Sequence, residues 1–186
     1  ANPDDEPAPD LALRWSSNAS ATIWRFDLRK GVTFHDGSTF DAGDVAYSLT
    51  YLLDPEIDSP LISTLGIISR IEVIDPHTVD IHLKSAHADF PVLLMDYRAR
   101  IIPEGIGEAI RYKGTGTGPF MISKLDPEGI TELVANKNYF LGPPQLDAIE
   151  VIAIIDANAQ MQAFLANQID LVQRVNPRLE PLFRSN

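Results

Sequence analysis

The stretch Trp24–Leu53, WRFDLRKGVTFHDGSTFDAGDVAYSLTYLL, constrains the fold of this chain most. Trp24, Phe26 and Leu28 alternate with Arg25, Asp27 and Arg29, the period-two pattern of a half-buried strand. Lys30-Gly31 interrupts it, and Val32-Thr33-Phe34 reads as a second extended run. His35-Asp36-Gly37 predicts a tight turn, because Gly tolerates positive φ and Asp bonds nearby backbone. Asp41 stands at the N-cap position of a helix with Asp44 in its acidic first turn. Val45, Leu49, Leu52 and Leu53 then form one apolar helical face, and Asp54-Pro55 ends it.

The chain continues in alternating β and α signals. Ile71 and Val73, the turn Asp75-Pro76-His77-Thr78, and Val79, Ile81 and Leu83 predict a hairpin, with Asp80, His82 and Lys84 on its polar face. Asp89-Phe90-Pro91 starts a short helix carrying Leu93 and Leu94. Ala99–Ile102 reads as a strand stopped by Pro103, and 104–112 as a weak helix. Phe120–Lys124 and Thr131–Ala135 form a second hairpin around Asp126-Pro127-Glu128-Gly129. Ile149–Ile155 is a nearly continuous apolar run, expected as a buried strand. Ala157, Met161, Phe164 and Leu165 share a helical face, and 169–172 reads as a short strand. The order of elements is mixed α/β.

Composition narrows function. With 186 residues the chain can bury a real core, as one large domain or two small ones. A net charge of −11 disfavours a nucleic-acid partner. The absence of cysteine removes disulfides, thiol catalysis and thiolate metal sites. No apolar run approaches the ~18 residues of a membrane span. The four histidines, His35, His77, His82 and His87, show no metal-ligand spacing, so they read as scattered surface residues. Adjacent His35-Asp36 reads as turn structure, because catalytic partners usually come from separate elements. Gly114–Gly118 lacks the Lys-Ser/Thr of a phosphate loop, and no serine has a GxSxG context. The residues supply no nucleophile and imply no cofactor, so a hydrolase has no support and the chain reads as a non-enzyme.

The run F-x-LRKGV-x-FHDG-x-x-F-x-A-x-DV-x-x-S resembles the signature of the family 5 extracellular solute-binding proteins, the peptide, dipeptide and nickel receptors of ABC importers. It departs at Thr39, Asp41 and Gly43, where the family often has Pro, Thr and Glu. IEVIDPHTVDIHL, GTGPF at 116–120, and Asn136 with Tyr139 extend the likeness over nearly the whole chain. The resemblance implies a fragment of a type II periplasmic-binding-protein fold, with one small lobe and part of a second. It divides the chain into a loose lead-in (1–10), a family-specific extra lobe (11–113) and a partial cleft-forming lobe (114–186).

It implies capture of a small peptide or similar solute by lobes closing on a hinge, and delivery to a membrane permease. It implies a monomer located in the periplasm or held at the cell surface as a lipoprotein. Arg174 is then a candidate holder of a ligand carboxylate, against an exposed surface Arg. Arg98 is a candidate ligand contact, against an ion pair, and Leu61 a third, against a plain core contact. The family's acidic partner for a peptide amino group lies in a lobe with no counterpart here. A sensor domain of a transcriptional regulator is the alternative within the same fold.

Overall fold

The strand expected at Trp24 is the second of four. The computed structural model describes residues 6–172. Strand β1 (Ala12–Ser17), preceded by the leading segment, pairs antiparallel with β2 (Ile23–Leu28). Asn18 turns the chain between them, its side-chain oxygen accepting from the N–H groups of Thr22 and Ile23. Trp24, Phe26 and Leu28 are buried and Arg25 is exposed, as the alternation requires. Val32–Phe34 does not continue the sheet. Its single bridge is Thr33 to Thr39, while Phe40 N–H donates to Val32 O and Gly37 N–H to Phe34 O. These short-range bonds leave little of the loop's backbone for a ladder, yet Val32 and Phe34 remain buried.

Helix α1 (Ala42–Leu53) begins at the expected cap. Asp41 accepts from Gly43 N–H at 2.7 Å, and Asp44 accepts from the Asp41 N–H at 2.8 Å. A side chain at Gly43 would put Cβ 3.0 Å from Asp41 Oδ1 and 3.1 Å from Glu104 Oε2, so glycine suits the packing here. After the short α2 (Ile62–Leu65) come β3 (Ile68–Asp75) and β4 (Thr78–Leu83), the expected hairpin. The sheet order is β1-β2-β4-β3, with every neighbour antiparallel. The core lies between its apolar face and α1, α2 and Phe90 of α3 (Phe90–Leu93).

The other face of this sheet carries paired charge. Arg25 donates to both oxygens of Asp80 at 2.7 Å, and His82 and Arg70 both meet Glu72. Arg25 holds the Asp80 carboxyl below the ordinary aspartate range, mainly through its hydrogen bond. A depressed native value means the stabilisation is present above the unfolded value and lost as pH falls through the native one. The stability gap between wild type and Asp80→Asn should therefore narrow on acidification from pH ~5 to pH ~2. Urea melts across that range check it, and a gap that widens would contradict the pairing.

Residues 99–102 form no strand. Ile102 N–H donates instead to the Ser48 hydroxyl of α1 at 2.8 Å, so a side chain takes the place of a ladder partner. A 3₁₀ turn (Gly107–Ala109) leads into α4 (Ile110–Lys113). Strands β5 (Phe120–Lys124), β6 (Ile130–Ala135) and β7 (Ala148–Ile152) make a three-stranded sheet in that order. The buried strand expected at 149–155 is exposed: Val151 is 52% and Ile155 102% accessible. β7 is an edge strand, and little of the described chain covers it. Helix α5 (Ala157–Leu165) is capped by Asp156, which accepts from Ala159 N–H, and it buries Met161. The expected strand at 169–172 is absent, because no ladder partner meets it among the described residues.

The described chain divides into two compact units, 6–122 with 134–148, and 123–133 with 149–172.

Candidate functional site

The first unit contains a cavity of about 780 Å³, within the size range of small-molecule sites. Its floor is the apolar face that the alternating strands create: Phe26 and Leu28 from β2, Val79 and Ile81 from β4, and Val45 and Leu49 from α1. The leading segment, the loop 94–102, the Gly-rich run 114–119 and Tyr139-Phe140 form its walls.

Each wall is held by specific bonds. In the 94–102 loop, Asp96 accepts from the backbone N–H of Arg98 and from its guanidinium at 2.8 and 2.6 Å. Those bonds bring the Asp96 carboxyl down to about 2. The far end of the loop is pinned by Ser48, which donates to Asp44 O and accepts from Ile102. Arg29 lies 5.0 Å from the ring centroid of Phe140 and donates to Asp10 O, tying leading segment to opposite wall. Burial, then the neighbouring Asp10 charge, pushes the Tyr139 phenol above its ordinary value.

The Gly-rich run is clasped by His35. Gly116 N–H donates to His35 Nδ1 at 3.2 Å, which requires an unprotonated Nδ1. Nε2, 3.0 Å from Gly118 O, is then the donor, and His35 N–H donates to Gly116 O. Asn136 adds a second bond to Gly118 O. Both imidazole nitrogens face backbone groups, so His35 has no nitrogen free to act as a base in this arrangement. The turn around His35 was readable in the sequence, but its bonds to Gly116 and Gly118 cross a long sequence interval and left no local signal.

Two of the three residues singled out from the sequence lie among the described residues. Leu61 is fully buried in the core cluster. Arg98 is committed to Asp96 and also stands 5.5 Å over the Tyr97 ring. Arg174 lies outside the described residues. Sequence reasoning passed over Arg100, which lines the cavity two positions beyond Arg98. Among the described residues no cluster of three or more His, Cys, Asp or Glu side chains could hold a metal ion. The lining is mostly apolar, with Asp10, Asp96 and Arg100 as its charged side chains.

Residues 6–186 match the family described as bacterial extracellular solute-binding proteins, family 5 middle. Di/tripeptide-binding protein 2 of Pseudomonas aeruginosa (strain UCBPP-PA14) is 29% identical over 195 residues, spanning 91% of this chain and 37% of that protein. The HTH-type transcriptional regulator SgrR of Yersinia enterocolitica is 34% identical over 119 residues, 63% of this chain and 20% of the regulator. The solved structure of MoaA from A.tumefacien R10, in complex with mannopinic acid, superposes with a TM-score of 0.81 at 31% identity, over 88% of this chain and 34% of that one. The chain thus spans little more than a third of the length of these relatives, and less of the regulator.

Proposed function

The chain belongs to the bacterial extracellular solute-binding proteins, family 5, and from that membership we propose that it is part of the substrate receptor of an ABC importer for peptides. The family match over residues 6–186 carries this reading, and the similarity to a di/tripeptide-binding protein supports the peptide class. Residues 11–113 then serve as the extra lobe and 114–186 as part of a cleft-forming lobe. The receptor works outside the cytoplasm as a monomer, free or lipid-anchored, and hands its cargo to a membrane permease. Among the described residues no helix is long and apolar enough to cross a membrane. Family members are binding proteins, and capture here makes and breaks no bond.

Arg174 remains proposed as a direct carboxylate holder. Arg98 would act by bracing Asp96, and Leu61 by seating α2 in the core. Calorimetry on the full-length open reading frame should show one-to-one binding of di- or tripeptides at micromolar affinity or tighter, and no heat with any peptide would overturn the assignment. Residues 1–186 alone should give no heat, because a cleft that closes from two sides holds little with one. Micromolar binding by that piece would show that the grip is complete within it.

The similarity to SgrR favours one second reading, a ligand-sensing domain of a transcriptional regulator. A helix-turn-helix encoded upstream in the same reading frame would select it, and a secretion signal would select the importer.

A further inference from the structure

We propose that His35 is a proton-operated latch on the Gly-rich wall of the cavity: the neutral ring holds Gly116, and a second ring proton lets it go. The latch lies beyond the receptor reading and stands or falls apart from it.

The two ring nitrogens meet backbone groups of opposite kind. Gly116 N–H needs the lone pair of Nδ1, and Gly118 O needs a proton on Nε2. The neutral Nε2–H tautomer supplies both, and no other form does. An imidazolium carries a proton on each nitrogen, so Nδ1–H would face Gly116 N–H across 3.2 Å. Two donors cannot bond. Gly118 O keeps its donor in either form.

The remaining ties fix where the run gives way. His35 N–H donates to Gly116 O, which leaves the peptide after Gly116 bonded whatever the ring charge. Gly114 N–H donates to Ile110 O, while Asn136 donates through its side chain to Gly118 O and through its N–H to Pro119 O. None of these groups titrates. The peptide between Thr115 and Gly116 is therefore the one that turns, and a glycine backbone takes up new angles at small steric cost.

An imidazole is the side chain that ordinarily changes charge between about pH 5 and pH 8. Asp36, in the same turn, interacts with Lys113 where α4 enters the run and with Asp44, which caps α1 together with Asp41. Bonds from Ser38 hold the Asp36 carboxyl below the ordinary aspartate range, so it stays charged throughout. The element of Asn136 adds Lys137 and Tyr139, and burial keeps the Tyr139 phenol above its ordinary value, so it stays neutral. Burial raises the Asp44 carboxyl toward the imidazole range, which makes Asp44→Asn the necessary control.

The experiment is NMR on the full-length protein, isotope-labelled at glycine and histidine nitrogen, from pH ~8 to pH ~5. Gly116→Ala assigns the amide, since a methyl group there comes no nearer than 3.7 Å to His35 Cε1. The His35 ring should be the Nε2–H tautomer at the alkaline end. Protection of the Gly116 amide, corrected for intrinsic exchange, should fall about 10-fold or more on acidification, in step with protonation of the His35 ring. The His35 amide should keep its protection. His35→Gln, which cannot gain a charge, should show no step, and Asp44→Asn should retain it.

An Nδ1–H tautomer at alkaline pH overturns the latch. So does Gly116 protection that stays flat, whether or not the ring protonates. A step that persists in His35→Gln, or disappears in Asp44→Asn, overturns it as well. Should His35→Gln fail to fold, the wild-type midpoints decide: agreement between ring and amide supports the latch, and disagreement sinks it.

Discussion

Phe90→Ala should lower the unfolding free energy of this protein by about 3–5 kcal/mol. Phe90 opens α3, is fully buried, and has its ring 6.4 Å from those of both Trp24 and Phe26. The Phe26 contact is near edge-to-face at 69°, a favoured arrangement of aromatic quadrupoles. The cost is set by how far the site can collapse after truncation. Both neighbouring rings are on β2, which is paired to β1 on one side and β4 on the other, so the strand cannot move in to fill the space. Phe90→Leu keeps most of the volume and should cost less than about 1.5 kcal/mol. Urea denaturation tests both. The midpoint should fall with its slope unchanged, and a loss under about 1 kcal/mol for the alanine variant would mean that the packing is looser than the contacts require.

Asp44→Ala should be the next most damaging change, at about 2–3 kcal/mol. One carboxylate oxygen accepts from Asp41 N–H and closes the α1 capping box. The other accepts from Glu104 N–H at 2.8 Å and holds the loop beyond Ile102. Truncation leaves two backbone donors without an acceptor. Asp44→Asn can satisfy one of them only, since its amide nitrogen would face the other N–H, so it should recover part of the loss. The effect is smaller than two charged hydrogen bonds would suggest. Burial holds the Asp44 carboxyl above its ordinary value, the two donors notwithstanding, so the ionised group carries a desolvation cost at neutral pH. A raised native value means that this cost is relieved as pH falls through it. The gap between wild type and Asp44→Ala should therefore grow on mild acidification, opposite in sign to the Asp80 case. Parallel urea melts of the two variants over the same pH series measure it. A gap that shrinks for both would assign the Asp44 charge a net stabilising role.

Much of the fold was legible because its determinants are local. Alternation places Trp24, Phe26 and Leu28 inward whatever lies across from them. The Asp41 cap, the Asp36 turn and the stop at Asp54-Pro55 each depend on bonds within a few residues. The misses share one cause. An extended apolar segment is compatible with a ladder, a loop pinned by a side chain, or an uncovered edge. Ile102 met Ser48, Val32 met Phe40, and Val151 met solvent. Periodicity carries no information on which of these a segment will find.

The site was less legible than the fold. Arg98 and Arg100 are the same residue type two positions apart, and only a bond two residues long tells them apart. Asp96 distinguishes them, because its turn aims both of its oxygens at Arg98. His35 became a clasp because the Gly116–Gly118 backbone passes within hydrogen-bond reach of both ring nitrogens. By itself the sequence determined the family, the elements of the four-stranded sheet and its capped helix, since these rest on residue order and short-range bonding. Tertiary structure alone decided long-range pairings such as Arg25 with Asp80, because they depend on distances that chain spacing does not set.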